Sequence, residues 1–451
     1  MLLGVENTSL RKELTDEIRK RTPVSGKLYK RALEVLPGGE VSGVRMFDPW
    51  PFYATKAKGA YIWDVDGNQY LDCCMCYGVL LCGHQPPHIL SALKAQLDLS
   101  IHYGAPLAGE VDLAEKFIKC VPCAERLILC NTGNESIHKA IAIARAYTGK
   151  DKVAKFEGCF HGSNEYSSWS VLIFEEFMGP SDRPNKVPMC AGMPMSAEDN
   201  LVLLPQSESA FDLIEEYANE LSVVILEVMM GPGALSFDTD YLKKLREITS
   251  RNGILLLFDE VITGFRLGLG GAQERVGVIP DIATFGKAMG GGTAIGAIGT
   301  RWEILDKCLD LMPPLLLSGT FSGNALTVAA ANAQLDYLMK NSPQIYLDLE
   351  TKGDHLRNSF NEFAEAEGYP ARATGLGSMF QVHMMAPAPV KPRDRIKEDV
   401  QKLDEFALRL RLAGVFLPYP LHIGFISTAH TDKDIEQLLS TLKNTLKATF
   451  K

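Results

Sequence analysis

Lys287 and Asp259 are the pair whose types and setting speak first of chemistry. Leu255-Leu256-Leu257-Phe258 is a short, unbroken apolar run, and Asp259 is the first charge after it. Such a run predicts a buried strand. That puts Asp259 at the strand mouth, where a carboxylate can keep a heteroaromatic ring nitrogen protonated. Lys287 lies among Gly286, Ala288, Met289, Gly290, Gly291 and Gly292. Desolvation in this setting favours the uncharged amine, the form that builds a Schiff base with an aldehyde. The glycines let backbone approach a flat ring or a phosphate. A strand-end acid or a surface lysine is ordinary when met alone; the two together are not.

A second segment, Asn131-Thr132-Gly133-Asn134-Glu135-Ser136, lies between an apolar run and a helical pattern. Backbone amides at a helix N-terminus, with small hydroxyls beside them, bind anions such as phosphate. By itself this segment reads equally as a plain N-cap. Gly158-Cys159-Phe160-His161-Gly162 follows the next strand-like run, and an aromatic ring there can stack on a heterocycle. A ring nitrogen, a Schiff-base aldehyde and a phosphate describe pyridoxal 5′-phosphate, an electron sink once its nitrogen is protonated.

Other patterns carry less. Cys73, Cys74, Cys76, Cys82 and His84 cluster, but their spacing fits no closed zinc site, and buried thiols acting as small hydrophobes are expected instead. Cys120 and Cys123 have no second pair at zinc-finger distance. No metal is expected. Gly286-Lys287 lacks the first glycine and the hydroxyl of a Walker loop, and Gly268-Leu269-Gly270-Gly271-Ala272-Gln273 lacks the last glycine of a dinucleotide fingerprint. His84, His88 and His102 show no partner in the sequence and are expected to be structural.

The elements that must position these groups follow from patterning. Residues 1–36 read as polar helix with a break near Pro23, and Ala60–Cys73 reads as a hairpin turning at Asp66-Gly67. Apolar runs at Arg126–Cys130, Lys152–Phe156, Leu201–Leu204, Val223–Glu227 and Ile254–Asp259 predict strands. Helical patterns near Val111–Ile118, Glu135–Tyr147, Ala210–Ala218 and Tyr241–Asn252 stand between or beside them. Non-alternating strands separated by amphipathic helices predict an α/β protein with a mostly parallel sheet, covered on both faces. Its ligands sit at the carboxyl ends of the strands. Gly179–Pro194 carries four prolines and predicts a long irregular segment, a lid or an interface arm. We read 1–75 as an N-terminal segment joining a small domain, 76–341 as the large domain, and 342–451 as the C-terminal small domain. The net charge of −9, from 46 basic and 55 acidic residues, argues against nucleic acid as a partner. No apolar run is long enough to span a membrane. Met1–Leu3 leads into a polar stretch, not an apolar leader, and the ten cysteines are scattered; both point to reduced thiols in a cytoplasm.

The chain resembles the class III aminotransferases. The carrying residues are Pro37-Gly38-Gly39 with Arg45, Gly59–Gly67, Arg145–Gly149, Phe156–Gly162, Phe258–Arg266, Gly286-Lys287, Gly319–Asn324 and Ala429-His430-Thr431, in the family's order and spacing from about residue 30 onward. Within the family it is most similar to glutamate-1-semialdehyde 2,1-aminomutases and related amino-acid aminotransferases. The resemblance implies the type I fold of PLP-dependent transferases, with a mainly parallel, seven-stranded-type sheet and a smaller α+β domain from both termini. It implies a homodimer with shared sites. Lys287 is then the Schiff-base lysine and proton shuttle, and Asp259 the partner of the ring nitrogen. Val261 and Phe160 lie against opposite ring faces. Thr132, Gly133 and Asn134 bind phosphate, and Thr320 reaches the phosphate of the partner subunit. Arg45 matches a position that binds substrate carboxylate. Glu227 matches the family's glutamate after its strand, and His161 belongs to the cofactor set.

Thr132-Gly133-Asn134 stands where the family usually has Ser-Gly-Thr, and Glu227-Val228 where it usually has Glu-Pro; two further departures fall on the substrate side. The aminomutases carry a Gly- and Ser-rich gating loop where this chain has Glu165-Tyr166-Ser167-Ser168-Trp169 and then the proline-rich stretch. His422 stands near their substrate-side glutamate. The expected reaction is therefore amino transfer between a carboxylate-bearing amino donor and a keto acid, by way of pyridoxamine phosphate. The aminomutase-type shift within one molecule comes second, and a PLP-binding protein without turnover third.

Overall fold

The structure, a computed structural model, describes residues 5–418 and 423–451. The chain divides into a sheet unit, Pro87–Leu347 with Val390–Ile396, and a terminal unit, Met1–Pro86 with Asp348–Pro389 and Lys397–Lys451.

The sheet unit is built on seven strands: β1 (Arg126–Cys130), β2 (Lys152–Phe156), β3 (Leu201–Leu204), β4 (Leu221–Leu226), β5 (Leu255–Asp259), β6 (Ile282–Gly286) and β7 (Gly296–Thr300). Their spatial order is β1-β7-β6-β5-β4-β2-β3. Only β7 runs against the others: it is antiparallel to both β6 and β1, while the remaining neighbours pair in parallel. This is the mainly parallel, seven-stranded sheet expected. Every residue of β4 and of β5 is buried, which is why their runs do not alternate.

Helix α1 (Gly133–Thr148) shows how one element is fixed at both ends and along one face. Thr132 Oγ1 accepts from the Glu135 backbone N–H at 3.1 Å, and Gly149 ends the helix at φ 69°, a conformation that glycine enters without steric cost. Ile137, Ala140, Ile141 and Ala144 recur at helical spacing. They are buried against Ile128, Val223, Ile225, Leu257 and Ile298 of the sheet. Burying one such isoleucine stabilises by about 1.5–3 kcal/mol, and truncating it to alanine costs about 2–5 kcal/mol.

In the terminal unit, Tyr61–Asp64 and Gln69–Asp72 form the expected antiparallel hairpin, flanked by Ala54–Lys58 and by Val415–Phe416. Arg372–Thr374, Met379–His383 and Gly424–Phe425 make a second small sheet. The helical N-terminal stretch breaks as expected, into Ser9–Arg21 and Pro23–Leu33. The histidines without evident partners do have them. His84 Nε2 lies 2.7 Å from Asp72 Oδ2. In the sheet unit His88 meets Gln334 and His102 meets the Thr320 carbonyl.

Candidate active site

Parallel strands end together. The last residues of β1, β2, β4, β5 and β6 therefore deliver Asn131–Asn134, Glu157–Gly162, Glu227, Asp259–Val261 and Lys287 to one edge of the sheet.

Asp259 is buried there and held by three donors. The Val261 backbone N–H reaches its Oδ1 at 3.1 Å, the Thr284 hydroxyl the same oxygen at 3.3 Å, and His161 Nδ1 reaches Oδ2 at 2.8 Å. Thr284 is in direct register with Asp259 across β5 and β6. A carboxylate offers about four lone-pair positions, so one acceptor direction stays open. The carboxylate only accepts, which makes Nδ1 the protonated nitrogen of His161. Burial holds the imidazole neutral against the pull of Asp259. His161 Nε2 is buried with no hydrogen-bond partner among the described residues.

Glu227 lies just past β4 and is buried. Its carboxylate accepts from the backbone N–H groups of Phe160 at 2.7 Å and Gly231 at 2.9 Å. Burial and the negative charge of Asp259 push its pKa well up, while the charge of Lys287 works the other way. Phe160, whose amide is fixed by this bond, is 51% exposed as a residue.

Thr132, Gly133 and Asn134 occupy the N-terminus of α1, whose first backbone N–H groups have no intrahelical acceptor. Asn134 Oδ1 accepts from the Ser163 backbone N–H at 2.9 Å. The floor is too tight for side chains. A Cβ on Gly133 would lie 2.9 Å from Val261 Cγ2, and one on Gly286 would lie 3.1 Å from the Ile295 carbonyl. Gly133, Val261 and Gly286 thus adjoin, directly before Lys287. Lys287 is half-buried and has φ 40°, left-handed backbone that a non-glycine residue occupies at a cost of about 1–3 kcal/mol. A flat ligand with an anionic group, a ring N–H and an aldehyde fits this donor set. The open lone pair of Asp259, the orphaned Nε2 of His161 and the side-chain-free cradle all call for such a group.

The remaining expected residues lie elsewhere. Thr320 is exposed on the segment before the helix Ala325–Asn341, and its carbonyl accepts from His102 Nε2 at 2.9 Å. Its neighbour Gly319 sits by Glu135 and Asn131 of the same chain: a Cβ there would lie 3.3 Å from Glu135 Oε1. Sequence distance alone therefore does not require a second subunit. Arg45 is exposed in the terminal unit, on the turn Gly43–Arg45. His422 lies outside the described residues. Two supporting residues escaped sequence reasoning: Thr284, whose register with Asp259 no spacing reveals, and Arg393, which pairs with Glu157 from 236 positions away.

A family model for class III aminotransferases matches residues 44–446, and the chain belongs to that family of PLP-dependent enzymes. Its cofactor is pyridoxal 5′-phosphate, and its fold is the type I transferase fold expected. Over 434 residues it is 38% identical to a glutamate-1-semialdehyde 2,1-aminomutase of Methanobrevibacter smithii, covering 95% of this chain and 99% of that one. Among solved structures it resembles an omega-transaminase from Sphaerobacter thermophilus, with a TM-score of 0.90 and 31% identity, covering 96% of this chain and 100% of the other. It shares the fold of a glutamate-1-semialdehyde aminomutase from Pseudomonas aeruginosa PAO1, at TM-score 0.87 and 21% identity over 98% of each chain.

Proposed function

We propose that this enzyme shifts an amino group within one small, carboxylate-bearing amino aldehyde, the reaction for which its aminomutase relatives are named. The observation that carries the choice is the full-length likeness to those relatives, and it reverses the order in which the sequence analysis ranked the two reactions.

Bound pyridoxal phosphate supplies the electron sink into which charge at the substrate carbon flows. Everything else falls to the chain. Lys287 anchors the cofactor and carries the proton to and from the substrate carbon through Nζ. Asp259 offers its open lone pair to the ring nitrogen, and His161, Thr284 and the Val261 amide keep that carboxylate from turning away. A neutral His161 leaves Asp259 the negative charge that the ring N–H requires. Val261 and Phe160 would supply apolar contacts to the cofactor ring. Thr132, Gly133 and the amide of Asn134 receive the phosphate at the N-terminus of α1. Glu227, whose pKa burial pushes up to about 8, would be a further donor toward the cofactor. Thr320 serves the phosphate site of a partner subunit. Arg45 carries a guanidinium fork of the kind that binds a substrate carboxylate. A homodimer is in keeping with Leu316 and Phe321, apolar residues 79% and 63% exposed that stand four positions before and one after Thr320 in the chain. Ten cysteines, none in a disulfide, support the cytoplasm as its compartment.

One observation favours the second reading, transfer between separate donor and acceptor molecules. The segment in place of the gating loop is pinned down. Trp169 is buried, its Nε1 donates to the Glu165 carbonyl at 2.7 Å, and buried Lys155 donates to the Trp169 carbonyl at 2.6 Å. Such a segment makes a poor moving lid. A single pair of assays separates the readings. The holoenzyme given glutamate-1-semialdehyde alone should form 5-aminolevulinate, and given amino donors with separate keto acids it should transfer nothing. The reverse pattern assigns transamination.

A further inference from the structure

Residues Val390–Ile396 come from the C-terminal part of the chain yet pack as part of the sheet unit. They are a built element. The backbone N–H groups of Val390 and Lys391 both donate to Asp394 Oδ2, at 2.9 and 2.8 Å, closing a turn that presents Arg393. Arg393 then makes four hydrogen bonds. Nε and Nη2 grip the two oxygens of buried Glu157, at 2.7 and 3.1 Å. Nη1 and Nη2 donate to the carbonyls of Gly179 and Met178, at 2.9 and 2.8 Å. The neighbouring Pro392 lies over Gly158, where an added Cβ would come within 2.5 Å of its Cγ.

Glu157 and Gly158 open the turn that ends in Phe160 and His161. The turn is thus held from both sides. Glu227 and Asp259 hold Phe160 N–H and His161, and the strap holds its start. The same guanidinium also fixes Met178-Gly179, at the head of the proline-rich stretch. A charge-assisted, bidentate pair with a buried carboxylate is the strong kind, and its geometry is specific to arginine.

We infer that Arg393 is a positioning residue, a latch that fixes the Glu157–His161 turn for cofactor binding and ties it to the segment beside it. The inference rests on the proposed placing of Phe160 and His161 against the cofactor. Arg393→Lys keeps the charge and loses the fork, and Glu157→Gln keeps the shape and loses the charge. Two readouts apply to each holoenzyme variant: hydrogen exchange of the segments 157–162 and 177–179, and the rate of pyridoxal phosphate release. Both variants should exchange faster in those segments, keep wild-type protection in β5, and release the cofactor roughly tenfold faster. Release within twofold of wild type overturns the latch and leaves the proposed reaction standing. Loss of protection throughout the sheet also overturns it, since Arg393 is then a general structural residue.

Discussion

A carboxylate buried at a sheet edge keeps one orientation only if donors surround it, and Asp259 has three. Asp259→Asn is nearly isosteric, so the fold should persist, while single-turnover rates should fall by more than a hundredfold, roughly 3 kcal/mol or more of lost electrostatic stabilisation. A rate near wild type contradicts the pairing with the ring nitrogen. Both Asp259 and Lys287 were legible in the sequence, because an apolar run and a glycine cluster mark their settings locally. The contacts that orient Asp259 were not: His161, named from the motif, lies 98 positions away, and Thr284, which went unnamed, lies 25 positions away. A second residue-scale prediction concerns stability. His430 is buried, its Nδ1 accepts from the Ser427 backbone N–H at 3.0 Å, and burial lowers its pKa to about 4. The unfolded chain regains the ordinary value of about 6.5 and so binds the proton first as pH falls. Stability from this group is full above about pH 6.5 and drains away toward about pH 4, on the order of 3 kcal/mol. Urea midpoints measured across this window should fall in the wild type, and His430→Asn should flatten part of that slope. An unchanged slope contradicts the assignment.

At the scale of elements, β7 presses on the turn that opens α1. A Cβ on Gly296 would lie 2.1 Å from the Thr132 carbonyl, a backbone atom that cannot swing aside. Gly296→Ala should therefore cost about 1–3 kcal/mol in thermal or urea unfolding. It should also weaken cofactor retention, because Thr132 and Gly133 move with the displaced turn. Wild-type stability and retention together contradict the contact. This element was hard to read. Strands β1 to β5 announce themselves as short, mainly apolar runs, although Lys155 interrupts β2. Ile282–Gly286 and Gly296–Thr300 mix glycine and alanine with their few β-formers, and become strands because paired neighbours lie on both sides. The strap at Val390–Ile396 was equally hidden, since its arginine meets a carboxylate 236 positions away. Proline content did mark the irregular stretch Gly179–Pro194, but not what holds it.

At the scale of the molecule, the placing of Thr320 decides whether one chain completes its own site. If the chain pairs as proposed, mixing Lys287→Ala chains with Thr320→Ala chains yields hybrid dimers. If Thr320 serves the partner, one of the two sites in each hybrid has both groups and activity returns. If it serves its own chain, which the proximity of Gly319 to Glu135 also allows, verified hybrids stay inactive. The central claim remains that one lysine anchors the cofactor at the sheet edge. A competitor exists: Lys155 is fully buried, and burial lowers its pKa to about 8. Borohydride reduction of the holoenzyme, followed by peptide mass spectrometry, distinguishes them. The account predicts a phosphopyridoxyl group on Lys287 alone, absent from Lys287→Ala; the group on Lys155 or any other lysine would contradict it.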